Sequence, residues 1–151
     1  MKNQFSIRRG RATDLPAVYL GELDYILQIE PQQETRWKDA IALHLKQWTA
    51  ALDRMFVAEG GDQIVGYCFW EDHGDEAVLA SLYVAPGHRR QGIGRELLMR
   101  FIDDAKRNQI HNATLGVQSE NPARLLYEKT GFVRTHDTDG FLHYRRTLMP
   151  E

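Results

Sequence analysis

The chain has 151 residues, 42% hydrophobic and 26% charged, with a net charge of −2. That length fits one domain spanning 1–151, which buries roughly 70% of its unfolded surface and needs no disulfide or metal staple. The charge balance excludes broad nucleic-acid binding, no apolar run is long enough to cross a bilayer, the first residues lack a signal-peptide apolar region, and the lone Cys68 excludes an internal disulfide and points to a reducing, cytoplasmic setting.

Phe5 to Arg8 alternates and predicts a first strand. Thr13 is placed to cap a helix with Pro16 in its first turn. Leu15, Val18, Tyr19, Leu23, Ile26 and Leu27 continue it at helical spacing, and Pro31 ends it. Trp37, Ile41, Leu45, Trp48 and Leu52 mark the core stripe of a second helix. The period then changes. Met55 to Ala58 and Gln63 to Trp70 read as strands joined at Gly60-Gly61-Asp62. A turn at His73-Gly74-Asp75 leads to a third strand, Ala77 to Val84, whose near-continuous apolar character predicts burial. The following helix starts near Gly92 and carries Ile93, Leu97, Leu98, Phe101, Ile102 and Ala105 on one face. Ala113 to Val117 is a strand reached through a helix, which predicts a parallel crossover. Asn121 caps a short helix with Pro122 at its first position and Gly131 just past its end. Phe132 to Thr135 and Leu142 to Leu148 close the chain as paired strands around Asp139-Gly140. The order β-α-α-β-β-β-α-β-α-β-β predicts a mixed-sheet α/β fold.

Chemistry concentrates between the third strand and its helix, in Val84-Ala-Pro-Gly-His-Arg-Arg-Gln-Gly-Ile-Gly-Arg95. Glycine lets backbone N–H groups approach a ligand closely. The first N–H groups of a helix have no internal partner, and the dipole makes that end an anion site. Arg89, Arg90 and Arg95 add forked donors suited to phosphate. The segment is built to hold a pyrophosphate. It is not a P-loop, which ends in Gly-Lys-Ser/Thr, nor a dinucleotide fingerprint, because Leu97 stands where the third glycine belongs. The six histidines show no metal spacing, and Cys68 lies within a strand as a small core residue.

Leu82-Tyr-Val-Ala-Pro-Gly-His-Arg-Arg-Gln-Gly-Ile-Gly-Arg-Glu-Leu-Leu98, followed by Asn121-Pro-Ala-Arg-Leu-Leu-Tyr127-Glu-Lys-Thr-Gly131-Phe132, resembles the two central motifs of the GNAT superfamily of N-acetyltransferases. The element order fits that family over almost the whole chain. The resemblance implies a largely antiparallel twisted sheet flanked by helices, with a splayed parallel strand pair at a cofactor cleft. It implies acetyl-CoA as co-substrate, no metal, and an acceptor that is a small-molecule or peptide amine. Leu82, Tyr83 and Val84 would hold the pantetheine arm. The backbone from Arg89 through Arg90, Gln91, Gly92, Ile93, Gly94 and Arg95 would take the pyrophosphate. Asn121 would contact the cofactor, and Tyr127 would protonate the leaving thiolate. A phenol of pKa near 10 protonating a thiolate of pKa about 8.5 is uphill by roughly 2 kcal/mol, a tolerable cost.

The general base is left open. Some family members carry a glutamate in the strand matching Ala77–Val84, and this strand has no acid. Glu71 and Asp72, at the end of the preceding strand, are candidates acting through water. A lysine-like amine at pH 7 is free in about one molecule per 2,500, a deficit of roughly 4.6 kcal/mol, against roughly 1 kcal/mol for an α-amino group. Tyr25, Glu30 and Glu34 lie around the junction of the first two helices, a region that often borders the acceptor site in this family. Three functional readings stand: amine acetylation by direct attack in a ternary complex, transfer of another short acyl group, or a non-catalytic acyl-CoA sensor. Homodimerisation, common in the family, is open, and neither nucleic acid nor membrane is expected as a partner.

Overall fold

A computed structural model describes residues 4–149. A seven-stranded sheet runs through the centre in the order β1-β2-β3-β4-β5-β7-β6. The strands are β1 (Ser6–Arg9), β2 (Met55–Gly60), β3 (Gln63–Asp72), β4 (Glu76–Val84), β5 (Asn112–Gln118), β6 (Val133–Thr138) and β7 (Phe141–Thr147). All neighbours are antiparallel except β4 and β5, the parallel pair joined by a helical crossover. The helices are α1 (Leu15–Ile29), α2 (Glu34–Asp39), α3 (Ile41–Ala50), α4 (Ile93–Arg107) and α5 (Ala123–Lys129).

Alternation along the strands sends side chains to two cores, one on each face. Phe56, Cys68, Trp70 and Leu115 pack with Leu97, Leu98, Phe101 and Ile102 of α4. Met55, Val57, Tyr67 and Phe69 pack with Val18 of α1 and Trp48 of α3. Because β3 is covered on both faces, it is buried continuously from Val65 to Trp70. Cys68 sits fully inside this strand, and burial pushes its thiol up to about 12, so it behaves as a small apolar residue. The charged Asp104 of α4 is buried too, but it accepts from the Trp70 indole N–H at 3.0 Å and pairs with Arg9 at 3.3 Å.

Four local expectations are corrected. β4 is not buried throughout: Ala77 and Leu79 are, Ala80 is exposed, and residues 81–84 are half-buried because β5 has splayed away. Thr13 lies within a short 3-10 turn, and α1 starts at Leu15. The polar group that ties this entry is Asp14, which accepts from the Arg11 N–H and is gripped by the Arg8 guanidinium at 2.8 Å. The second helix is two: Ala40 (φ −95°, ψ 19°) breaks it between α2 and α3. The break lets Trp37, His44 and Trp48 stack on one another while Leu45 turns outward, 42% exposed. Finally, α5 begins at Ala123, one residue after Pro122.

Two features of this frame shape the cleft. The β4–β5 pairing covers only Glu76–Val78 and Asn112–Thr114, so the strands splay beyond it. A bulge opposite Phe69 and Trp70 leaves Ala80 as the extra residue of β4 and re-aims the strand just past the splay point. On the other side, α1 presses on the sheet at Gly21, where an added Cβ would stand 2.5 Å from a Tyr67 ring carbon. Glycine is what lets α1 lie this close.

Candidate functional site

The splay opens a cleft of about 540 Å³ between β4, the start of α4 and the start of α5. Its floor is Leu82, Tyr83 and Val84. At one end the chain turns from β4 into α4, with two left-handed residues, Arg90 (φ 65°) and Gly92 (φ 84°). Glycine adopts this conformation freely, whereas an arginine there is strained, a combination that clusters at ligand-gripping loops. No side chain caps α4. The N–H groups of Ile93, Gly94 and Arg95 therefore start the helix without an intrahelical acceptor, at its positive pole. His88, Arg89, Arg90 and Arg95 line the same end. Arg89 is oriented by its Nε, which donates to the Val84 carbonyl at 2.9 Å. Positive charge, unpaired donors and space coincide here, as an anion site requires.

Of the residues expected to hold a cofactor, Leu82, Tyr83, Val84, Arg89, Arg90, Gly92, Ile93, Gly94, Arg95 and Asn121 line this cleft. Gln91 is exposed and does not line it. Asn121 Oδ1 accepts the Ala123 N–H at 2.9 Å, so the amide caps α5 while facing the Tyr25 hydroxyl across the cleft.

Past Tyr25, Leu82, Tyr83 and Asn121, which are common to both, the cleft continues into a second cavity of about 230 Å³. Tyr127 lines it. The ring is 5% exposed and wedged against Phe132 and Tyr144. Its hydroxyl has no hydrogen-bond partner among the described residues, and burial raises its pKa above the usual phenol value, so it is held protonated.

Of the two carboxylates that line this cavity, Glu30 and Glu22, sequence reading missed Glu22. It accepts from the Tyr67 hydroxyl at 2.5 Å and the Ser81 hydroxyl at 2.7 Å. Burial drives its pKa above the ordinary carboxylate value of 4.5, and the two hydroxyls only partly offset this. Glu22 belongs to α1, and the close approach at Gly21 carries it onto the sheet. An isolated glycine inside a helical pattern was the one available signal.

The other acids fall elsewhere. Glu71 pairs with His73 at 3.0 Å and borders a recess beside Trp37, His44 and Trp48 that shares Glu22 and Ala80 with the Tyr127 cavity. Asp72 is exposed and accepts the Gly74 N–H. Neither lines the Tyr127 cavity. Glu30 and Tyr25 do line it, whereas Glu34 is paired with Lys38 on the surface of α2. No group of three or more His, Cys, Asp or Glu among the described residues is arranged to hold a metal ion. No described helix is long and apolar enough to cross a membrane.

A mixed sheet splayed between two parallel strands, with an uncapped helix start at its mouth, is the architecture of the GNAT acetyltransferases. The chain belongs to that family: the sequence model of the acetyltransferase (GNAT) domain matches residues 51–134. Among curated relatives, the L-amino acid N-acyltransferase MnaT of Escherichia coli is 36% identical over 87 residues, 54% of this chain and 51% of that protein. The [ribosomal protein bS18]-alanine N-acetyltransferase of Haemophilus influenzae is 35% identical over 71 residues, 47% of this chain and 49% of that protein. The chain thus spans about half the length of the curated relatives it matches. Solved structures extend the likeness in fold. The yncA protein of Salmonella typhimurium, solved with its cofactor acetyl-CoA, superposes with a TM-score of 0.74 at 23% identity, covering 99% of this chain and 96% of that one. The PaiA N-acetyltransferase of Thermoplasma acidophilum, in complex with coenzyme A, gives 0.76 at 18% identity, covering 96% and 99%.

Proposed function

We propose that the protein transfers an acetyl group from acetyl-CoA to a primary amine, by direct attack within a ternary complex. The observation that carries this reading is the continuity of the cationic, uncapped start of α4 with the cavity that holds Tyr127 and Glu22. In this reading the pyrophosphate sits on the N–H groups of Ile93, Gly94 and Arg95, with Arg89 and Arg90 beside it. The pantetheine arm lies along the free edge of β4 beyond Val78, and its amides complete the backbone pairing that β5 has left. The thioester then reaches the junction of cleft and cavity.

Backbone N–H groups of β4 near Leu82 polarise the thioester carbonyl as negative charge develops on its oxygen. The amine nitrogen attacks the carbonyl carbon, the tetrahedral intermediate collapses, and the C–S bond breaks. Tyr127 supplies the proton to the departing thiolate. Burial makes that phenol a weaker acid, but the same burial raises the basicity of the thiolate, so the mismatch stays small. Glu22 takes the proton from the attacking amine, directly or through water. Its raised pKa suits it to this role better than an exposed carboxylate such as Glu71 or Asp72. Holding both reactants in one cleft supplies much of the acceleration.

The test is thiol release from acetyl-CoA with a panel of amines, alongside calorimetry with coenzyme A. Binding together with amine-dependent thiol release supports the reading. Binding with no release for any amine supports an acyl-CoA sensor instead. Absence of coenzyme A binding refutes both.

A further inference from the structure

The cavity beyond the thioester position constrains which amine it accepts. Two carboxylates, Glu22 and Glu30, line it, and no Lys, Arg or His does among the described residues. Arg89, Arg90 and Arg95 line the adjoining cleft, past the shared Tyr25 and Asn121, where the proposed pyrophosphate uses them, and His44, in the recess that shares Glu22, has its Nε2 bonded to the Trp37 carbonyl. The Tyr67 and Ser81 hydroxyls already donate to Glu22 and have no proton left for a ligand anion. Tyr127 also lines the cavity, and its hydroxyl has no hydrogen-bond partner among the described residues.

A free amino acid brings a carboxylate one carbon away from its amine. Once the amine is set against the thioester, that carboxylate enters a chamber with two like charges and no cation. Juxtaposing like charges in a half-buried site is a device of exclusion. An ammonium without a neighbouring carboxylate meets only favourable charge. Resting on the acetyl-transfer reading above, we infer that the acceptor is a primary amine lacking a carboxylate on its amine-bearing carbon, as in a peptide N-terminus or a simple alkylamine, and not a free amino acid.

Acceptors matched in shape test this: L-alanine, L-alaninamide, isopropylamine and Ala-Ala-Ala-amide, assayed by thiol release at saturating acetyl-CoA. Rates are compared per concentration of free base, so that differences in amine pKa do not enter. Isopropylamine controls further for basicity, being at least as basic as alanine. The carboxylate-free amines are expected to exceed L-alanine in kcat/KM by about 100-fold, the scale of one uncompensated like-charge contact. Glu30→Gln, at a half-buried position, should raise the kcat/KM of L-alanine relative to that of L-alaninamide about tenfold, whatever its effect on the amides themselves. The tripeptide and isopropylamine arms separate a peptide acceptor from a simple amine, and turnover of either at that level supports the inference. L-Alanine turnover equal to or above that of alaninamide overturns it while leaving acetyl transfer intact. Coenzyme A binding with no turnover of any amine overturns the catalytic reading and this inference with it.

Discussion

Substituting Gly21 and Gly94 separately should uncouple the two halves of the site. At Gly21 an added Cβ would stand 2.5 Å from Tyr67 Cε2, 2.6 Å from its hydroxyl oxygen and 2.9 Å from Tyr83 Cδ2. These rings are packed against each other with centroids 5.4 Å apart, and Tyr67 is anchored to Glu22, so neither yields easily. In Gly21→Ala the helix must lift. Overpacking of this kind costs about 1–3 kcal/mol, of which the better helix propensity of alanine returns up to about 1. The net loss of about 1–2 kcal/mol lowers Tm by about 2–8 °C in a domain of this size. Lifting α1 also withdraws Glu22 and Tyr25 from the cavity, and a misplacement of about 1 Å costs about 100-fold in rate. Coenzyme A affinity should fall far less than turnover, because α1 gives the cleft only Tyr25, Gln28 and Ile29, while the cationic start of α4 and the end of β4 stay in place. At Gly94 the added Cβ would be 3.4 Å from Leu126 and 3.6 Å from Val84, ordinary contacts. Gly94→Ala should therefore leave Tm unchanged or slightly raised, while the methyl group blocks the phosphate approach and weakens coenzyme A binding about tenfold or more. Thermal melts, calorimetric titration with coenzyme A and thiol-release kinetics read all three quantities. If Gly21→Ala keeps wild-type Tm and turnover, or Gly94→Ala binds coenzyme A as tightly as wild type, the account of how the backbone builds the site is refuted.

Four further outcomes follow from particular residues. Tyr127→Phe should lower kcat by about 100-fold while shifting acetyl-CoA affinity little, and an unchanged kcat with chemistry rate-limiting removes Tyr127 from the acid role. The folded pKa of Glu22 is raised, so its base form is lost as pH falls through a value above 4.5; the acid limb of kcat/KM should lie above the usual carboxylate range and vanish in Glu22→Gln. Glu71→Gln and Asp72→Asn, at residues that do not line the cavity, should each keep kcat/KM within about threefold, and a collapse of activity in either would restore it as the base. Asp104→Ala strands the buried Trp70 indole N–H and should cost about 1–3 kcal/mol, read as a fall in the denaturant midpoint.

The uncapped, cationic helix start was legible because every part of it is contiguous. Val84 to Arg95 contains the strand end, the left-handed turn and the helix start, and backbone donors need no distant partner to point outward. The meander was legible for a similar reason: tight turns such as Gly61-Asp62 and Asp139-Gly140 announce themselves through positive φ. The α2–α3 break escaped notice because stacking of Trp37, His44 and Trp48 decides it, and a helical stripe reads the same across a one-residue kink. Glu71 and Asp72 drew attention only by nearness in sequence to β4. In space neither lines the Tyr127 cavity: Glu71 pairs with His73 beside the adjoining recess, and Asp72 is exposed.

What the amino-acid order determined by itself was local: amphipathic periods, turns, and a helix start with donors to spare. What needed the folded chain was Glu22. It lies 45 residues from Tyr67 and 59 from Ser81, and in sequence it is one more acid on an amphipathic helix. Its environment arises only when α1 settles on the sheet at Gly21, because desolvation depends on everything that surrounds a group, and those surroundings are brought together from segments far apart along the chain.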